Sequence, residues 1–205
     1  MKINLFNWNQ YTAYAVVKTI KKDTSLFRQG ERVNGFYYLQ QGTIAISVIR
    51  EDGYERIIDL IYSGSLLGER IINDSMSFTN ATALVDSILY FFSREQFELL
   101  IKDHPKASHQ FSVSLINKVR LMANINTILN APIDVQLAQF LLNLAEREQN
   151  NCISINQTSL SKYIGKSRVS IWKVLKDWRL NEVIEMKRQT IVLKDLDTLQ
   201  ELIKL

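Results

Sequence analysis

The chain has 205 residues, enough for one large domain or two modest ones, and a formal net charge of +4. Its single cysteine, Cys152, excludes a disulfide framework and any multi-cysteine metal or iron–sulfur centre within one chain. No run approaches membrane-span length and the start MKINLFNWNQ lacks the apolar core of a secretory leader, so a cytoplasmic protein without membrane contact is expected.

Six of the seven glycines, Gly30, Gly35, Gly42, Gly53, Gly64 and Gly68, lie in one early stretch. Around them run FYYLQQ, TIAISVI, ERIIDLIY and TALVDSILYFF, alternating or β-rich segments. Turn glycines between such runs predict an antiparallel β sandwich or roll. Asp52-Gly53 predicts a tight hairpin, because both turn positions require positive φ.

Pro105 and Pro132 bracket a different segment. Lys106–Asn130 contains no glycine or proline and reads as one long helix. Phe111, Leu115, Lys118, Met122, Ile125 and Leu129 recur at 4-3-4-3-4 spacing, a heptad seam interrupted by Lys118. Ile116, Val119 and Ala123 form a second stripe suited to resting on the β domain. Two stripes on one helix suggest a homodimer seam, with burial inside the monomer as the alternative. Two Lys118 ammonium groups buried together in that seam are costly unless paired, and a rotated seam leaves them in solvent.

Asn130 can cap the next helix, APIDVQLAQFLLNLAERE, with Pro132 in its first turn. After the polar loop QNNC, residues Gln157–Trp178 carry the densest signal. Leu160, Tyr163 and Ile164 make one buried stripe. Gly165 ends that helix, since a left-handed residue is cheapest there. Ser167 can cap a second helix whose inner face is Ile171, Val174, Leu175 and Trp178, which leaves Arg168, Ser170, Lys173 and Lys176 outside. Such a helix-turn-helix suits a DNA major groove, an ordinary helical hairpin being the alternative. VIEMKRQTIVL then reads as two short strands around Lys187-Arg188-Gln189, a wing. Eight basic residues between Gln157 and Thr190 stand against Asp177, Glu182 and Glu185, the footprint of a phosphate-binding surface.

The expected fold is α+β: an antiparallel β roll (a double-stranded β-helix or jelly roll) over residues 1–105, a long dimerisation helix over 106–130, and a winged helix-turn-helix over 131–205. That order resembles the CRP/FNR family of bacterial transcription regulators across nearly the whole chain. The residues that carry the resemblance are Phe27 to Gly30, Tyr37-Tyr38-Leu39 with Gly42, Gly53, Gly64, Leu67-Gly68-Glu69, Ala81-Thr82, LAQFLLNLA and IGKSRVSIWKVL.

The resemblance implies a homodimer that binds double-stranded DNA at an inverted-repeat operator, with RNA polymerase as a further partner if it activates. It also implies a small-molecule effector in or beside the roll. Cyclic-nucleotide binders in the family use a Gly-Glu pair and an Arg-Ser pair about ten residues on. Gly68-Glu69 matches the first, whereas Thr79-Asn80 stands in place of the second and the nearest arginine is Arg70. A buried phosphate needs a fixed cation or several donors. The effector pocket Gly68, Glu69, Arg70, Thr79 and Asn80 is therefore expected to hold cyclic AMP weakly or not at all. The effector is some other small molecule, or there is none, and Gly68-Glu69 then reads as a turn with an exposed carboxylate.

No cofactor or metal is expected. The N-terminal cysteines of the oxygen-sensing branch are absent, and His104 and His109 read as surface or dimer-interface residues rather than haem ligands. Cys152, in the loop before the reading helices, is either inert or a redox reporter.

By the resemblance, Arg168, Val169, Trp172 and Lys173 contact base edges. Arg168 can pair with a guanine in bidentate fashion. Val169, where many members carry a glutamate, can pack against a thymine methyl. Trp172 either stacks on sugar-phosphate or packs against the wing. Lys166, Ser167, Ser170, Lys176, Lys187 and Arg188 are the expected phosphate contacts. An enzyme on the roll is disfavoured because Asp23–Phe92 contains no histidine to build a metal site. A small-ligand sensor whose winged helix binds a protein partner is the remaining alternative, and the basic face argues against it.

Overall fold

A computed structural model describes residues 7–49, 51, 53, 55–69, 76–129 and 131–204, with 121, 123–129, 147 and 148 described in backbone alone. Two compact units divide the chain, Met1–Met122 and Ala123–Leu205, so the division falls inside the long helix. No helix among the described residues is long and apolar enough to cross a membrane.

The first unit opens with a 3-10 turn, Trp8–Tyr14. Its strands are β1 (Val16–Ile20), β2 (Ser25–Phe27), β3 (Gly35–Gln41), β4 (Thr43–Ile49), β5 (Glu55–Tyr62), β6 (Leu66–Leu67), β7 (Asn80–Ala83) and β8 (Ser87–Ser93). They form two antiparallel four-stranded sheets, ordered β1-β8-β3-β6 and β2-β7-β4-β5. The run TALVDSILYFF is not one strand. It breaks between β7 and β8, where Asp86 leaves the ladder to accept from the Lys22 N–H at 2.9 Å. Gly53 has φ +76 in the β4–β5 turn, and Asp52 lies outside the described residues.

Strand alternation explains the continuous apolar run on β3. Tyr37 and Leu39 enter the core between the sheets with Leu26, Phe27, Ile44, Ile61 and Leu89. Phe36 and Tyr38 point the other way, into a second core with Trp8, Tyr11, Phe92, Leu100 and Phe111. Gly35 is required by close approach, because a Cβ there would stand 2.2 Å from the Phe92 carbonyl oxygen.

Two helices cover that second core. The sequence reading does not anticipate α1 (Arg94–Asp103), although a capping box marks its start. Ser93 Oγ accepts from the Gln96 N–H at 3.2 Å, while Gln96 Oε1 accepts from the Ser93 N–H at 3.0 Å. The long helix α2 spans Lys106–Leu129.

The first half of α2 turns its expected seam toward its own unit, and the expected second stripe toward solvent. Phe111 is buried against its own unit, its ring 5.0 Å from Phe36 and 4.9 Å from Phe97, and Leu115 packs on the same core. Lys118 bonds within the unit as well. The stripe left outside is Ile116, Val119 and Met122, with Val119 69% exposed. The physical reason is the larger gain from burying an aromatic ring, together with a carboxylate waiting for Lys118. Of the expected seam, Phe111 is thus buried in its own unit, while Leu115 and Lys118 make contacts there and stay partly exposed. Of its other members, Met122 is exposed, and the side chains of Ile125 and Leu129 lie outside the described residues.

The second unit holds α3 (Ile133–Glu148), β9 (Cys152–Ser154), α4 (Gln157–Ile164), α5 (Arg168–Leu180), β10 (Ile184–Lys187), β11 (Thr190–Leu193) and α6 (Leu196–Leu202). Helix α3 packs on α4, α5 and α6, burying Leu137, Leu141, Leu160, Ile171, Leu175 and Leu199. Pro132 takes the N-cap position of α3 without a side-chain cap, and Asn130, expected there, lies outside the described residues. Cys152 is not in a loop: it is an exposed residue of β9, paired with Val192 on β11 in a β10-β11-β9 sheet.

Candidate nucleic-acid interface and effector position

The helix-turn-helix is built by local hydrogen bonds. Asn156 Oδ1 accepts from the Ser159 N–H at 2.8 Å, which caps α4. Gly165 closes α4 at φ +72, a left-handed conformation that glycine adopts without penalty. Ser161 Oγ donates to the Lys166 carbonyl at 2.7 Å, fixing the turn, and Ser167 Oγ accepts from the Ser170 N–H at 3.1 Å to start α5. Ser167 and Ser170 also bond each other through their hydroxyls at 2.9 Å. Both serines named for phosphate contact are thus engaged in capping.

On α5 the apolar residues divide sharply between faces. Ile171, Leu175 and Trp178 are buried, whereas Val169 is 67% and Trp172 42% exposed. Arg168, Lys173 and Lys176 are exposed on the same outer surface as those two. The Lys176 ammonium sits 5.2 Å from the Trp172 ring centroid, so this tryptophan carries a cation–π contact one turn along its own helix.

The wing is the β10–β11 hairpin, with Lys187 paired to Thr190 and Arg188 at φ +20 in its turn. Glu185 bonds Lys187 at 3.1 Å and Lys194 at 3.2 Å. Hydrogen bonds from those two lysines hold the Glu185 carboxyl below the usual range. Of the expected phosphate contacts, Lys187 is already partly neutralised, while Lys166 and Arg188 are exposed.

In the β roll, two of the expected effector residues, Glu69 and Asn80, are engaged by the protein itself. The Glu69 carboxylate is not an exposed turn residue: its side chain is 5% exposed and pairs with Lys118 of α2 at 2.5 Å. Lys118 also donates to the Leu66 carbonyl at 2.9 Å, and Ser114 Oγ donates to Glu69 Oε1 at 3.3 Å. Thr79 and Asn80 are buried, and Asn80 Oδ1 accepts from the Gln29 N–H at 2.9 Å. Gly68 has φ +74, and Arg70 lies outside the described residues. Sequence spacing alone offered no sign of the Glu69–Lys118 pair, whose members are 49 residues apart. Among the described residues no group of three His, Cys, Asp or Glu side chains is placed to hold a metal ion.

Comparisons with known proteins match both units. A cyclic nucleotide-binding domain model matches residues 17–104, and a Crp-like helix-turn-helix domain model matches residues 135–202. The global nitrogen regulator of Nostoc sp. is 24% identical over 187 residues, covering 86% of this chain and 84% of that protein. The cAMP-activated global transcriptional regulator CRP of Pasteurella multocida is 25% identical over 178 residues, covering 82% of this chain and 85% of that one. The solved structure of the c-di-GMP-responsive global regulator CLP of Xanthomonas campestris superposes with a TM-score of 0.81 at 19% identity, covering 91% of this chain and 97% of that one. With a roll that matches the cyclic nucleotide-binding domain model, a long helix and a Crp-like helix-turn-helix in that order, the chain belongs to the CRP/FNR family of DNA-binding transcription regulators.

Proposed function

We propose that the chain acts as a homodimer on an inverted-repeat operator, reading bases through the first turns of α5. The observation that carries this reading is the outer face of that helix. Arg168, Val169, Trp172 and Lys173 stand clear of the core while their neighbours Ile171 and Leu175 are buried. Arg168 offers a bidentate pair to a guanine, and Lys166, Lys176 and Arg188 supply charge to the phosphates. The dimer contact is the outward stripe of α2, Ile116, Val119 and Met122, which a monomer leaves in water. A two-fold dimer sets its reading helices roughly 34 Å apart, about one turn of DNA.

Control runs through an effector other than cyclic AMP, or the bare dimer is competent. Two features support this: no arginine stands at Thr79-Asn80, and the Glu69 carboxylate is taken by Lys118.

The test is selection from a randomised palindromic DNA pool, followed by the same selection with Arg168→Ala. The wild type should enrich an inverted repeat. Arg168→Ala should relax one base pair per half-site by ~1–3 kcal/mol of discrimination. An unchanged motif would show that Arg168 does not read a base.

A further inference from the structure

The outer face of α5 presents hydrocarbon where base reading by hydrogen bonds would need polar groups. Val169 and Trp172 are three residues apart, so they stand on adjacent turns of the same side. Both are exposed near the start of the helix, opposite the buried Ile171, Leu175 and Trp178, and Leu180 is exposed at its far end. The Lys176 ammonium over the Trp172 ring, 5.2 Å from its centroid, lies along the helix surface and leaves the residue 42% exposed. Neither side chain can accept a hydrogen bond, and valine cannot donate one.

The surroundings say what such a ridge meets. Arg168, Lys166, Lys173 and Lys176 make its border cationic, which draws a polyanion onto it. In the major groove of that polyanion, the hydrocarbon on a base edge is the pyrimidine 5-methyl group of thymine.

We propose that Val169 and Trp172 form an apolar ridge that reads pyrimidine 5-methyl groups. The operator half-site is then specified at one or two positions by a methyl. This rests on the assignment of α5 as the reading helix and names what that helix reads. It gives Trp172 a stated role on a base edge instead of stacking on sugar-phosphate or packing against the wing. It also makes 5-methylcytosine a better ligand than cytosine at a position the ridge covers.

The experiment replaces each thymine of the selected half-site by uracil, which removes the methyl and leaves every hydrogen-bonding group. Affinities are measured by fluorescence anisotropy for the wild type, Val169→Ala and Trp172→Ala. Both substitutions fall on exposed positions, so the fold is preserved. At one or two positions uracil should weaken wild-type binding about fourfold per half-site, the equivalent of ~0.8 kcal/mol for one buried methyl. At each such position one of the two variants should bind the thymine and uracil sites equally. Uracil tolerated throughout overturns the inference while the DNA-reading assignment stands. A uracil penalty that persists in both variants overturns the assignment of the methyl to this ridge. Failure to enrich any site overturns the DNA-reading assignment and the inference with it.

Discussion

The two units leave different things open to solvent. Around α2 the first unit engages Lys118, on Glu69 and on the Leu66 carbonyl, and leaves out a stripe of hydrocarbon. Around α5 the second unit buries Ile171, Leu175 and Trp178 but leaves out Val169 and Trp172 together with Arg168, Lys173 and Arg188, cations without carboxylate partners among the described residues. An open apolar stripe calls for a surface of the same kind, and unpaired cations call for a polyanion. Desolvation explains the contrast. A carboxylate out of water must be paired, whereas an exposed cation keeps its hydration until phosphate replaces it.

The largest break in this comparison comes from Val119→Glu, which puts charge in the hydrocarbon stripe. Sedimentation should show a monomer, and affinity for the palindrome should fall about 100-fold or more as the second half-site loses its linked partner. A variant that stays dimeric would exclude Val119 from the interface.

Lys118→Met acts on the Glu69–Lys118 pair. It leaves the Glu69 carboxylate with Ser114 alone, and denaturant unfolding should show a loss of about 1–3 kcal/mol. The double variant Lys118→Met with Glu69→Leu should recover most of that loss, because both charges are then gone. Equal stability of the single variant and the wild type would mean the pair contributes nothing to holding α2.

A smaller effect sharpens the other side. The Glu185 carboxyl, held below its usual range, remains ionised at neutral pH and keeps Lys187 partly neutralised. Glu185→Gln should tighten binding to DNA of any sequence about twofold at low salt, with a steeper salt dependence. No change would show that the wing lysine does not reach phosphate. Smallest of all is the response to cyclic AMP: calorimetric titration should give no binding heat, and micromolar binding would overturn the reading of the roll.

The winged unit was readable because its signals are local. Gly165, the Ser167 cap and the spacing of Ile171, Leu175 and Trp178 all act within a few residues. The wing strands were legible for the same reason. The Glu69–Lys118 pair was not, because a contact between a loop after β6 and the middle of α2 leaves no periodic trace. The stripes of α2 were both visible, but spacing does not say which stripe meets the unit's own core. That was decided by the Phe111 ring finding Phe36 and Phe97. The capping box at Ser93 and Gln96 is as local as the winged unit's signals, but it directly adjoins the strand β8, whose apolar run masks it.

Strand β9 precedes α4, while β10 and β11 follow α5, and the three are joined in one sheet. The helix-turn-helix is therefore tied at both ends to the same hydrogen-bonded frame. It cannot fray from either terminus without breaking the β9–β11 ladder. Opening must then involve α4, α5 and the wing as one cooperative block, so the head meets DNA as a preassembled template rather than a segment that orders on contact.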